Sequence, residues 1–370
     1  MYRKGARFGT DSPVSLDGVA FEMFNEPVRS EPHPWLIAYT WYNAAGKVHR
    51  GGDLPAKISY GKNPNGSFPL YSEWFKNGVR HRDGDSPAWV EYFNETNEDG
   101  SPKISRARWL KNGVYKREGG KPEDVEYFSF DNEDGSQKIR KETWVDENDY
   151  PHRDDGPAYI LYSNETNEDG SHKILEQKWF KNGDQQRDDD LPAGIDYFDW
   201  ASNEDGSQKI RAKLWYKNNL QHREGDLPAQ IEYFNETNED GSQVNWEIWY
   251  KDGKKHRDGS KPAILQKSKT GQVIEEEYFV NDRLHNLNGP ALKRLNDDGH
   301  PYEEYYIDGT KYTKKEYDAL RKQSKNSLSG ALNRISASRV KRGKLNLPTD
   351  LIKDMMGYGF GKKESKEQLQ

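Results

Sequence analysis

Apolar residues in this chain come in short clusters separated by charged, glycine-bearing turns. Clusters such as Ile231-Glu232-Tyr233-Phe234 are β-branched and aromatic, which suits a pleated surface, and they show no helical periodicity. Apolar runs such as Trp35 to Ala38 fall far short of the roughly 18 consecutive apolar residues of a membrane-crossing helix. The pattern predicts many short strands joined by tight turns.

The strands belong to a repeat. Trp74-Phe75-Lys76-Asn77-Gly78, Trp109-Leu110-Lys111-Asn112-Gly113, Trp179-Phe180-Lys181-Asn182-Gly183, Trp215-Tyr216-Lys217-Asn218-Asn219 and Trp249-Tyr250-Lys251-Asp252-Gly253 are versions of one sentence. Trp41 and Trp144 open variants with one extra residue, and Tyr278 and Tyr305 open two shorter copies. Successive tryptophan anchors lie 33 to 36 residues apart. A His-Arg pair follows most anchors after seven residues, as at His81-Arg82, His222-Arg223 and His256-Arg257. A proline follows in all eight copies, at 55, 87, 122, 157, 192, 228, 262 and 290, usually as Pro-Ala.

Two turns divide each unit. Asn-Gly or Asp-Gly at 77–78, 112–113, 182–183 and 252–253 predicts type I′ hairpins, whose two central residues need positive φ. The second turn is Asn-Glu-Asp-Gly-Ser, as at 97–101, 203–207 and 238–242. Proline before a strand marks a strand start or a bulge, because it has no N–H for the ladder. The fold expected is all-β, an elongated single-layer meander or solenoid of stacked antiparallel hairpins. A lone hairpin is marginal in water, whereas hairpins in a row bury their aromatic faces against neighbours. With two strands per unit, such a rod would extend about 80 to 90 Å.

The array is expected over 35–311. Residues 1–34 carry no clear anchor and read as a degenerate repeat capping the sheet edge. Thr313-Lys314-Lys315-Glu316 has the spacing of a capping box before Tyr317 and Leu320 and predicts a short closing helix over 312–323. Residues 324–370 read as a basic tail.

Composition enters here because it divides at the same place. Of 56 Lys or Arg and 62 Asp or Glu, residues 321–370 hold 12 and 4, a net of +8. The remainder is left with 44 against 58, a net of −14. Such charge resembles disorder, but 46 aromatics argue for a packed body. Within the tail, 348–360 has the cap residues and facial spacing of a docking helix, with Leu351, Ile352, Met355, Met356, Tyr358 and Phe360 as candidate partner-binding residues. The alternative is a solubilising tail with no docking role.

The run Trp-aromatic-Lys-Asn-Gly-x-x-His-Arg, then Pro-Ala, then an Ile and Tyr-Phe strand, resembles MORN-like repeat proteins, including bacterial antitoxin-component relatives and proteins of phages and large DNA viruses. The resemblance covers roughly 40–320. It implies a hairpin array and a protein-interaction scaffold. Units here run near 35 residues against about two dozen in ordinary MORN repeats, which separates this chain from the lipid-binding and kinase-associated roles of eukaryotic members.

Candidate chemistry is weighed against that repeat. His and Arg are general-base and phosphate-binding residues, yet an active site needs one constellation. Arg recurs in seven units and His in six, with Lys116 and Gln186 as substitutes. They are expected to stack on aromatics and pair with turn acids. The Asn-Glu-Asp-Gly-Ser turn is too short for a calcium loop. With 0 Cys there is no thiolate chemistry, and no glycine-rich phosphate loop, catalytic triad motif or zinc spacing occurs. The sequence therefore predicts no enzyme, metal or cofactor. It predicts a protein partner along the rod or through the tail, nucleic acid only weakly through the tail, and no membrane. No secretory leader is expected either, so the setting is the cytoplasm, that of a host cell if the protein is viral or phage. The alternative is a virion component whose tail docks into a neighbouring subunit.

Overall fold

A computed structural model describes residues 18–22, 37–63, 66–132, 134–167, 170–236, 244–296 and 298–323. The chain is all-β, a meander of antiparallel hairpins followed by a short helix at 314–323. It forms two compact units, 1–219 and 220–370.

In the first unit each strand pairs with its predecessor and its successor. Lys57–Asn63 lies between Ile37–Tyr42 and Gly66–Glu73, and the order continues through Trp89–Thr96, Pro102–Arg108, Asp124–Asp131 and onward to Gln208–Leu214. Gly18–Glu22 adds a strand beside Ile37–Tyr42. The second unit repeats the plan from Gln230–Tyr233 to Pro301–Ile307.

The short hairpins take the predicted turn. Asn77 and Gly78 have φ of 53° and 88°, Asn112 and Gly113 54° and 85°, Asp252 and Gly253 50° and 77°. Asn218 and Asn219 reach 50° and 64° without a glycine, as asparagine tolerates the left-handed region. These hairpins also stack: Gly113 N–H donates to the Arg80 carbonyl at 2.8 Å, and Gly253 N–H to that of Gln221 at 2.9 Å.

At the other end of the strands Asn97 N–H donates to the Ser101 carbonyl at 2.8 Å, and Asp99 accepts from Ser101 N–H at 2.8 Å. The same geometry recurs at 132–136 and 203–207. Between the two turns most units carry a β-bulge in their second strand. The pairing skips Leu70, Ser105, Arg140, Leu175, Arg211, Asn245 and Ile274 in turn, and the last pair, Leu292–Leu295 with Pro301–Ile307, runs without one. A bulge raises local twist, so its repetition gives the bulged hairpins the same curvature.

The core lies on one sheet face. Trp109 packs with Ala107, Val125, Tyr127 and Ile139, and Trp144 with Ala158, Ile160, Tyr162 and Ile174. Glu123 stands after Pro122, but the alanine that follows the proline in the other seven of the eight copies is fully enclosed, at Ala56, Ala88, Ala158, Ala193, Ala229, Ala263 and Ala291. Its carbonyl accepts the anchor's N–H, as in Trp74 to Ala88 at 2.9 Å. The opposite face carries charge: Arg106 and Arg108 pair with Asp124, and Lys141 with Glu126.

The predicted capping box closes the array. Thr313 N–H and Oγ1–H donate to Glu316 Oε2 at 2.9 and 2.7 Å, and Glu316 N–H donates back at 3.3 Å. Tyr317 is buried against Tyr305, its hydroxyl donating to the Asn286 carbonyl at 3.0 Å. Leu320, three residues on, is exposed.

Candidate functional site

The His-Arg pairs sit in the loop between the short hairpin and the proline. Each arginine lies over the tryptophan eight or nine residues before it: Arg50 on Trp41, Arg82 on Trp74, Arg117 on Trp109, Arg153 on Trp144, Arg187 on Trp179 and Arg257 on Trp249, at 3.6 to 4.1 Å from the ring centroid. Nη1 then donates to the proline carbonyl ahead, as from Arg82 to Pro87 at 3.2 Å and Arg257 to Pro262 at 3.1 Å. The guanidinium thus staples the loop shut by stacking and hydrogen bonding together.

The rest of the fork reaches the preceding copy. Arg82 binds Asp53 through two nitrogens at 2.8 Å, Arg117 binds Asp85 at 2.9 Å, and Arg257 binds Asp226 at 2.6 and 3.1 Å. The acids expected were those of the turns; these belong instead to the preceding proline loop. Arg153 departs, pairing with Asp155 of its own loop. The hydrogen bond from Arg82 lowers the Asp53 carboxyl below its ordinary range, and those from Arg257 and then Lys261 bring Asp226 down to about 2. In the last full copy Asn286 replaces arginine and donates to the Pro290 carbonyl at 2.8 Å.

Histidine links the copies in the other direction. Nδ1 of His49, His81, His152, His222, His256 and His285 accepts the N–H of the first turn residue of the next short hairpin, at 3.0 to 3.4 Å. A nitrogen that accepts carries no proton, so the proton of a neutral ring sits on Nε2, which faces Asp83 in His81 and Asp258 in His256, both at 2.8 Å. Six rings are held in one tautomer by backbone. In the acidic turns the aspartates are likewise occupied, and their serine hydrogen bonds lower the carboxyls of Asp99, Asp134 and Asp205.

The candidate residues Leu351, Ile352, Met355, Met356, Tyr358 and Phe360 lie outside the described residues. Two side chains went unnoticed in the sequence. Phe130 and Trp200, exposed at 42% and 71%, sit beside the acidic turns, in the stretches Tyr127 to Asp131 and Tyr197 to Ser202 where the pairing register is broken. Counting three residues on from Tyr92, Tyr127, Tyr162, Tyr197 and Tyr233 gives Glu95, Phe130, Glu165, Trp200 and Glu236. That count, set against the repeat, was the signal available.

Among the described residues, no helix is long and apolar enough to cross a membrane. Comparison with known protein families finds no match, and comparison with curated proteins finds none.

Proposed function

We propose that this chain is a noncatalytic protein-interaction scaffold, a phage or viral protein acting in the cytoplasm of the infected cell. The observation that carries this reading is the occupation of the histidines and arginines. Nδ1 of each of the six repeat histidines is filled by a neighbouring N–H, and the stapling arginines are bound to tryptophan and to a proline carbonyl. Residues so used serve the repeat, and a repeat array offers a long surface for a partner. The cellular setting rests on the resemblance to MORN-like proteins of phages and large DNA viruses.

The test captures partners from infected-cell lysate on the full chain and on a chain ending at Lys322, with quantification by mass spectrometry. A stoichiometric partner is expected. Loss on truncation assigns recognition to the basic tail, and retention assigns it to the repeats. Absence of any partner, together with stoichiometric copies in purified particles, would replace this reading with that of a virion component.

A further inference from the structure

The repeat supplies its own control: a side chain that departs from the repeated type and is left exposed is not required by the fold. Phe130 replaces the glutamate of its sister units, Trp200 stands at the same count from its tyrosine in a unit one residue longer before its turn, and both remain in solvent. Each has an aromatic support two residues earlier on its strand. Phe128 and Phe130 stack at 4.9 Å and 22°, and Phe198 meets Trp200 edge-on at 5.4 Å and 62°. Their strands, Asp124–Asp131 and Gly194–Ser202, are four pairing steps apart in one unit, a separation of about 19 Å. Glu165, on the strand midway between them, pairs with Lys173 at 3.0 Å.

The adjoining turns are acidic, although Lys103 pairs with Asp131 beside Phe130 at 3.0 Å. Asp134, four residues past Phe130, and Glu204 and Asp205, four and five past Trp200, lie in the adjoining turns. Asp134 and Asp205 are each fixed by the hydroxyl and N–H of a serine two residues on. Aromatic faces beside fixed carboxylates suit a cation twice over, by quadrupole and by charge.

We propose that Phe130 and Trp200 form a two-point clamp for an arginine- or lysine-rich peptide lying extended across the strands. An extended chain repeats its facing about every 6.6 Å, so cations six residues apart span about 20 Å and meet both rings. This rests on the scaffold reading and names the chemistry of one partner.

The test is fluorescence anisotropy of a labelled dodecapeptide of alternating arginine and glycine, titrated with the full chain and with the double variant Phe130→Glu, Trp200→Glu. Glutamate occupies the site of Phe130 in three sister units and Trp200 is 71% exposed, so the variant is expected to melt as the parent does. Charge attraction alone would make the more acidic variant bind tighter. The clamp predicts binding weakened by at least about fivefold, with partial recovery in Trp200→Phe. Unchanged or tighter binding by the variant overturns the clamp, as does failure of the parent to bind. Self-association of the parent that the variant abolishes, with no peptide bound, assigns the rings to a second copy of the chain and also overturns it. The scaffold reading survives any of these if the capture experiment still yields a partner.

Discussion

At the residue scale, opposite electrostatic devices share the second unit. Arg257 and Lys261 bring Asp226 down to about 2, and hydrogen bonds from Lys311 and then Tyr302 do the same for Glu304. A carboxyl with a depressed folded pKa contributes stability above its unfolded value near 4, lost as pH falls toward 2. Asp226 is nearly half exposed, so its contribution is small, whereas the Glu304 side chain is the more sheltered of the two. Glu277 runs the other way: burial, then the hydrogen bond and charge of Glu275 on the same strand, push it up to about 7. A raised carboxyl favours the folded state while protonated, so its contribution falls as pH rises from about 4.5 to 7. Glu277→Gln should remove that slope and raise the melting temperature at pH 8 relative to the parent while changing it little at pH 5. Parallel melting curves at the two pH values would remove the basis for this assignment.

At the element scale, the two turns use glycine for different reasons. Gly100 has φ of 81° with nothing within 4 Å of an added Cβ, whereas at Gly113, φ 85°, a Cβ would meet Val79 Cγ1 of the preceding hairpin at 2.9 Å. Gly100→Ala therefore reports the left-handed backbone penalty alone, about 1 to 2 kcal/mol. Gly113→Ala adds displacement of the stacked neighbour and should cost more. Urea unfolding of the pair would measure the difference, and equal losses would show that the stacked hairpins yield freely. Much at this scale was legible in the sequence, because Asn-Gly, Pro-Ala and the Thr313 to Glu316 spacing are local backbone instructions. The bulge was not. It exists only in the pairing of two strands, and the skipped residues share no type, being Leu70, Ser105, Arg140, Leu175, Arg211, Asn245 and Ile274. The aspartates that receive the arginines were missed because the partner lies about 30 residues back, as Asp53 does from Arg82.

At the scale of the whole molecule, the account divides side chains into those the repeat consumes and those it leaves over. The consumed set was recognisable by recurrence. The left-over set, Phe130 and Trp200, emerges only when exposure shows that a departure from the repeat is not compensated by burial. The most direct test of this division is urea unfolding of Arg82→Ala, Arg117→Ala and Arg257→Ala beside the parent. Each arginine stacks on its tryptophan, binds its proline carbonyl and reaches the preceding loop, with its side chain only 14 to 18% exposed. If these residues serve the repeat, all three variants lose stability by a similar amount, about 2 to 4 kcal/mol. A variant that keeps the parent's stability while its copies do not would mark that arginine as set apart for a site, and would contradict the account.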